Sequence, residues 1–215
     1  MESLDELLRL AEVAHGHLCA GQVLGVRMAL LGCERLGVEE PRGVDRKRLV
    51  TFVEIDRCAT DAIGVVTGCR LGKRALKFRD WGKMAATFVD LPTGRAVRVA
   101  ARESSKALAQ AMYPEMESRN QQQMRAYREM RDEELFAEEW VTVRLEAKEF
   151  PGYKGERTAC DRCREGINYE RFVRRAGETL CHGCAAVEER YYQPAAGAGA
   201  GSSAGEAGTA ARCEC

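Results

Sequence analysis

Two imidazoles and a thiol fall within five residues of this chain, in His15-Gly16-His17-Leu18-Cys19-Ala20-Gly21. The whole chain has 3 histidines, so two of them share one short stretch. Imidazole nitrogen and thiolate sulfur are the side-chain donors that suit zinc, copper, nickel or iron. Gly16 and Gly21 flank them with residues that tolerate unusual backbone angles or close approach. The plain alternative is two surface histidines and a core cysteine near a helix start, and the scarcity of histidine argues against it. Neighbours this close in sequence leave one hemisphere of an ion open, so a further ligand must come from elsewhere. Cys58 is the expected one, because it follows an apolar strand and lies beside a carboxylate, Asp61. The competing reading of Cys58 is a packed core thiol.

A second donor set lies near the other end, with the spacing Cys160-x2-Cys163-x17-Cys181-x2-Cys184. Each Cys-x2-Cys pair bends a short knuckle so that both sulfurs face one ion. Two knuckles complete a tetrahedron with no open position, the pattern of a structural zinc site. A thioredoxin-like redox pair competes for one Cys-x2-Cys, but two pairs in register argue against it. His182 sits inside the second knuckle as a bystander. So short a segment cannot bury a stable core alone, and the metal must supply much of its folding energy.

The elements that must position these donors follow from periodicity. Leu4, Leu7, Leu8, Ala11 and Ala14 recur at helical spacing and deliver the chain to His15. Residues 22–36 read as a second helix, apolar on most sides and therefore deeply buried, with Cys33 in its core. Residues 49–55 read as a strand ending at Asp56-Arg57-Cys58, and residues 62–66 as a short apolar helix or turn closed by Cys69. Residues 71–100 look like a three-stranded meander. Its basic residues Arg70, Lys73, Arg74, Lys77, Arg79 and Lys83 either meet phosphates or an acidic substrate or form the solvated face of a strand pair. Residues 104–139 read as mostly helical with a break at Pro114. Met112, Met116, Met124, Tyr127, Met130 and Leu135 form a stripe there that suits a core or a dimer seam. Residues 140–145 read as one more strand, and residues 185–191 as a helix after the second knuckle. The expected fold class is α+β: helices packed on a mainly antiparallel sheet, followed by a small treble-clef-like zinc domain. The expected boundaries are a core domain over 1–150, a linker over 151–156, a zinc-binding domain over 157–192 and a disordered tail over 193–215. The tail ends in Cys213-Glu214-Cys215, to which no role is assigned.

Composition sets limits on the rest. The chain has 215 residues, 45% of them hydrophobic, enough for one large domain and a small one. Lys+Arg 33 balances Asp+Glu 33, so charge gives no global case for nucleic acid or an anionic membrane surface. No apolar run approaches the ~18 residues that a spanning helix needs. An acidic start, Met1-Glu2-Ser3-Leu4-Asp5-Glu6, lacks the basic region of a signal peptide, and a cytoplasmic location is expected. There, 10 cysteines argue for metal ligands or reactive thiols rather than disulfides.

Four stretches together carry a family resemblance. They are the His15–Gly21 motif with Gly25 and Arg27; Glu54-Ile55-Asp56-Arg57-Cys58-Ala59-Thr60-Asp61-Ala62; Thr67-Gly68-Cys69 with Gly72; and Asp80-Trp81-Gly82-Lys83-Met84-Ala85. Their order and spacing over residues 1–150 resemble the E-subunit family of formylmethanofuran dehydrogenase, and the four-cysteine knuckle is similar to one that many members append. The resemblance implies an α+β core, a homodimer, a cysteine- and histidine-lined pocket that holds a metal, and association with molybdenum or tungsten enzyme subunits. Two function classes follow. The first is a metal-binding accessory protein or small enzyme of C1 or molybdenum/tungsten metabolism. In it His17, Cys19 and Cys58 serve as ligands or nucleophile, His15 as ligand or acid/base, Asp61 as orienting carboxylate and Lys83 as anion-binding or acid/base group. Zinc at the knuckle and a second transition metal in the core are the expected cofactors. The second class is a zinc-knuckle interaction module that docks a protein or nucleic acid, with Arg157, Arg162, Arg164, Arg171, Arg174 and Arg175 making the knuckle locally basic.

Overall fold

The computed structural model describes residues 2–192. The chain divides into two units, Met1–Lys154 and Gly155–Cys215. The expected tail and its Cys213 and Cys215 lie outside the described residues.

Helix α1, Leu4–His15, begins where the Ser3 hydroxyl accepts the Glu6 amide, and it ends at Gly16, whose φ of 97° only glycine adopts freely. Its buried face is Leu7, Leu8 and Ala11. Helix α2, Ala20–Leu36, is the buried axis of the unit. It packs against α1, α3, α5 and the strands β3 and β4 defined below. Two of its glycines make this closeness feasible. A Cβ on Gly25 would lie 2.5 Å from the Ala59 carbonyl oxygen, and one on Gly32 would strike the Phe88 ring. Strand β1, Leu49–Val53, leads into α3, Cys58–Thr67. Then come β2 (Leu76–Phe78), β3 (Ala85–Asp90), β4 (Ala96–Ala101), α4 (Ser104–Met112), α5 (Arg119–Glu129), α6 (Asp132–Leu135) and β5 (Phe136–Val141).

The sheet order is β2-β1-β3-β4-β5. Every pairing is antiparallel except β1 with β2, which is parallel. The unit is therefore α+β with a mainly antiparallel sheet, but the expected meander is corrected: β2 joins β1 on its far edge, so the step from β2 to β3 crosses over β1. The helical region is shorter than expected too. It stops at Leu135, and Phe136–Val141 is strand where helix was expected through 139 and strand over 140–145. The β4 edge decides this, since it pairs from Ala101 with Phe136 to Ala96 with Val141.

The C-terminal part of the methionine stripe turns inward, while Met112 is exposed. Tyr127, Met130 and Leu135 are buried in the main core, and Met124 packs against it. Arg27 of α2 anchors that end of α5, donating to the carbonyls of Tyr127 at 2.7 Å and Met130 at 2.9 Å and to the Asp132 carboxylate at 2.7 Å. Cys33 and Cys69 are both core thiols.

In the second unit, β6 (Thr158–Ala159) pairs with β7 (Gly166–Ile167), and β8 (Phe172–Arg175) pairs with β9 (Glu178–Cys181). Helix α7, His182–Ala185, follows directly, with a separate 3-10 turn at Val187–Glu189. The single helix expected over 185–191 is thus replaced by an earlier, shorter one. Its small core is Cys160, Ile167, Leu180 and Cys184, so half of the buried side chains are metal-type donors.

Candidate metal centres

Among the described residues, two groups of three or more ligating side chains have their donor atoms within 4.8 Å of one another: Cys160, Cys163, Cys181 and Cys184; and His15, His17 and Cys19. In the first group, the turn between β6 and β7 supplies one pair of sulfurs, and the β9–α7 junction supplies the other. A tetrahedron with metal–sulfur arms of about 2.3 Å requires sulfurs about 3.8 Å apart. Cys163 Sγ and Cys181 Sγ are 3.9 Å apart.

The protonation chemistry fits a cation as well. Amides of Cys163 and Cys181 donate to Cys160 and pull its thiol down to about 6. Cys163 also receives an amide, from Glu165, yet burial and the three neighbouring sulfurs push it up to about 12. Sulfurs packed this closely cannot all ionise beside one another, and a divalent cation removes that conflict. His182 is not one of the four. Three arginines of this unit are engaged inside it: Arg162 with Glu178 at 3.0 Å, Arg175 with the Ala185 carbonyl at 3.1 Å and Arg190 with Cys184 Sγ at 2.9 Å, while Arg164, Arg171 and Arg174 are exposed.

The first unit builds its group differently. His15 closes α1, Gly16 turns the chain, and Cys19 is the N-cap residue of α2. An N-cap side chain normally satisfies the first helix amides. Cys19 makes no such bond. Asn120, at the start of α5, accepts the Ala20 amide at 3.0 Å and so ties the residue next to Cys19 to α5. His15 Nδ1 lies 2.8 Å from the Asp61 carboxylate on α3, which directs Nε2 as the ligating nitrogen. The His15 and His17 rings lie 4.8 Å apart at 47°.

Cys58 is not the end of a strand but the first residue of α3. It stands beside the group across Gly21: a Cβ at Gly21 would be 3.2 Å from Cys58 Cβ and 3.7 Å from Cys19 Sγ. It is not one of the three donors within 4.8 Å. Lys83 is held elsewhere. Its amide donates to the Glu54 carbonyl at 3.2 Å, and its ammonium lies 5.8 Å from the Trp81 ring centroid. Glu54 is itself gripped by Arg98 through two bonds of 2.7 Å. The Asp80–Lys83 loop thus gathers on Glu54.

Two contributors escaped the sequence reading. Asn120 carries no local signal, because its partner is a hundred residues away. Gln22 did carry one, as an amide in an otherwise apolar helix. It is fully buried, and its Nε2 donates to the Cys58 carbonyl at 2.8 Å, fastening the start of α3 to α2. Its Oε1 has no partner among the described residues.

Comparison with known proteins agrees with this picture. Residues 14–137 match the family described as FmdE, molybdenum formylmethanofuran dehydrogenase operon. A probable S-adenosyl-L-methionine-binding protein of Archaeoglobus fulgidus is 41% identical over 97 residues, which are 45% of this chain and 26% of that protein. The chain therefore spans about a quarter of the length of this curated relative. The crystal structure of an FmdE-like protein of tungsten formylmethanofuran dehydrogenase, from Syntrophus aciditrophicus, superposes with a TM-score of 0.60 over 88% of this chain and 95% of that one, at 20% identity. At that identity the likeness is one of fold. The matched span holds the His15–Cys19 loop, Cys58, Asp61 and the whole five-stranded sheet except most of β5, and on that match the chain belongs to the FmdE family.

Proposed function

We propose that this protein holds a transition metal at His15, His17 and Cys19 with one side open, and a structural zinc at Cys160, Cys163, Cys181 and Cys184. The observation that carries the first half is the His15–Asp61 contact of 2.8 Å, because a carboxylate on the far ring nitrogen is how metal-bound imidazoles are oriented. Three protein donors with an open position suit a catalytic or sensing centre, whereas four sulfurs with none suit a structural one. A metal held at the open centre supplies Lewis-acid polarisation of whatever ligand oxygen it meets. Asp61 orients His15, Gln22 and Gly21 hold Cys58 against Cys19 as a nearby thiol, and Asn120 fastens the Ala20 amide beside Cys19.

We place the protein as an accessory component or small enzyme of C1 or molybdenum/tungsten metabolism, cytoplasmic and homodimeric, with molybdenum or tungsten enzyme subunits as its partners. Family membership supports this placement. No helix among the described residues is long and apolar enough to cross a membrane. The methionine stripe no longer argues for the dimer, since its central residues face inward, and light scattering at micromolar concentration tests that point. A nucleic-acid role for the knuckle is not favoured, because the chain as a whole carries no excess positive charge and Arg162 and Arg175 are engaged within the unit.

Element-resolved metal analysis of the full chain tests the main reading. Two metals per chain are expected, one lost in His17→Ala/Cys19→Ser and the other in Cys163→Ser/Cys184→Ser. A His17→Ala/Cys19→Ser variant with unchanged metal content would overturn the core assignment.

A further inference from the structure

The basic run noted in the sequence does not act as one patch. Arg74, Lys77 and Arg79 are tied to the 148–153 segment: Arg74 to the Tyr153 carbonyl at 3.3 Å, Lys77 to the Glu149 carbonyl at 2.6 Å and Arg79 to the Glu149 carboxylate at 3.0 Å. Arg70 and Lys73 go elsewhere. They join Arg42 and Arg46 around a cavity of about 290 Å³, whose apolar part includes Ala14 of α1 and Val65 of α3. No carboxylate among the described residues lines this cavity. Arg42 pairs with the Glu2 carboxylate. Among the described residues, the Arg46 guanidinium donates to the Gly43 carbonyl, at 3.4 Å. Among the described residues, no ion pair engages Arg46, Arg70 or Lys73.

A helix C-terminus attracts cations, and α3 ends beside this cavity at Gly68. That accounts for only part of the charge. A helix end carries roughly half a negative charge, and Glu2 offsets Arg42, so Arg46, Arg70 and Lys73 leave a surplus of about two and a half positive charges on the cavity wall, with Glu39 and Glu40 on the other side of Arg42 in an adjoining pocket. The chain as a whole is neutral, with Lys+Arg 33 and Asp+Glu 33, so the surplus is local rather than a by-product of a basic protein. Its size matches a doubly or triply charged oxyanion better than a single carboxylate. Guanidinium forks pair with phosphate oxygens two at a time, and an ammonium adds a point charge to the same group. The cavity volume sits at the lower end of the about 300–1,000 Å³ typical of small-ligand sites.

Position gives the cavity its meaning. Ala14 immediately precedes His15, and Val65 lies one turn beyond Asp61 on α3, a rise of about 6 Å. The wall at Ala14 and Val65 thus comes within about one helical turn of the His15–Asp61 pair, while Gly68, on which Arg42 packs, lies seven residues beyond Asp61, a rise of about 10 Å. We propose that this cavity is a phosphate-recognition subsite, and that the protein takes a small phosphorylated molecule whose phosphate sits among Arg42, Arg46, Arg70 and Lys73 while its remaining part extends toward His15, His17 and Cys19. The phosphate subsite stands on the cavity itself; its pairing with a metal rests on the function proposed above.

Calorimetric titration of the full chain with inorganic pyrophosphate tests the subsite, before and after metal removal. Saturable binding is expected, weakened at least tenfold in Arg46→Gln/Arg70→Gln/Lys73→Gln, with metal content unchanged in that variant. His17→Ala/Cys19→Ser should bind pyrophosphate like the parent, so failure of the metal centre is read separately from failure of the subsite. If the triple variant misfolds, Arg70→Gln alone, at an exposed position, should still weaken binding severalfold. No binding by the parent protein, or equal binding by a folded triple variant, overturns the proposal. Equal or tighter binding of citrate overturns the phosphate assignment, and tighter binding of a single-stranded oligonucleotide overturns the small-molecule one.

Discussion

The two donor groups use similar atoms and reach opposite architectures. The N-terminal group takes its three donors from one loop of five residues, mixes nitrogen with sulfur, and is half exposed. The C-terminal group takes sulfur only, from two turns joined through paired strands, and closes to 3.9 Å between sulfurs. The difference is geometric. Donors adjacent in sequence approach an ion from one side, while pairs from two separate turns can surround it. The first group therefore depends on the fold to hold it in place, through Asp61 and Asn120, and the second group is itself much of the fold.

That contrast predicts very different responses to metal removal. Chelation should unfold residues 157–192, read as loss of amide protection in hydrogen exchange, because structural zinc supplies about 10–16 kcal/mol in small zinc-binding segments. The first unit should stay protected. Retained protection of 157–192 in metal-free protein would erase the contrast.

Gly25→Ala attacks the other side of it. The new Cβ meets backbone atoms of Ala59 that cannot step aside, at 2.5 Å and 2.7 Å, so α3 must move away from α2. A loss of about 1–3 kcal/mol in the first unit is expected from denaturant unfolding. Because α3 carries Asp61 and Cys58, core metal should be lost while knuckle zinc is kept.

Asp61→Ala is gentler. Asp61 is exposed, so stability should hardly change, but core-metal affinity should fall about 10–100-fold in a competition assay. Zinc at the knuckle should be unaffected. Equal affinity in parent and variant would mean that the contact with His15 does not orient a ligand.

The smallest effect concerns the thiols that belong to neither group. Burial, with Cys69 and Asp45 nearby, pushes the Cys33 thiol up to about 12. It should label with iodoacetamide only as fast as the first unit unfolds, whereas Cys19 in metal-free protein should label directly. A thiol whose folded value is raised adds stability below its ordinary value of 9.0 and loses that contribution as pH rises toward 12, so the first unit should weaken across that alkaline window.

Local signals carried much of this protein. The Cys-x2-Cys pairs, the His-x-His-x-Cys loop, the two long helices and their glycine ends, and the α+β class were all legible in short windows. Each depends on residues a few positions apart: knuckle bends, helical periodicity, left-handed caps at Gly16 and Gly37. What the tertiary structure decided is what needs a distant partner. Strand β2 chose the far edge of β1 instead of its sequence neighbour β3. The chain after Leu135 became strand because β4 offered an unpaired edge. The stripe from Met124 to Leu135 became core because Arg27 and α2 draw the end of α5 inward, and Met112 stayed exposed. The Lys83 amide went to the Glu54 carbonyl and its ammonium lies near the Trp81 ring, where an anion-binding or acid/base role was expected. Asp61 joined His15 across 46 positions, and Asn120 took the Ala20 amide beside Cys19 across a hundred. Hydrophobic patterning says which face of an element is buried, but it does not say against which partner. Pairing is settled only when all elements compete for the same edges and faces, and the chemistry at His15, His17 and Cys19 depends on that outcome.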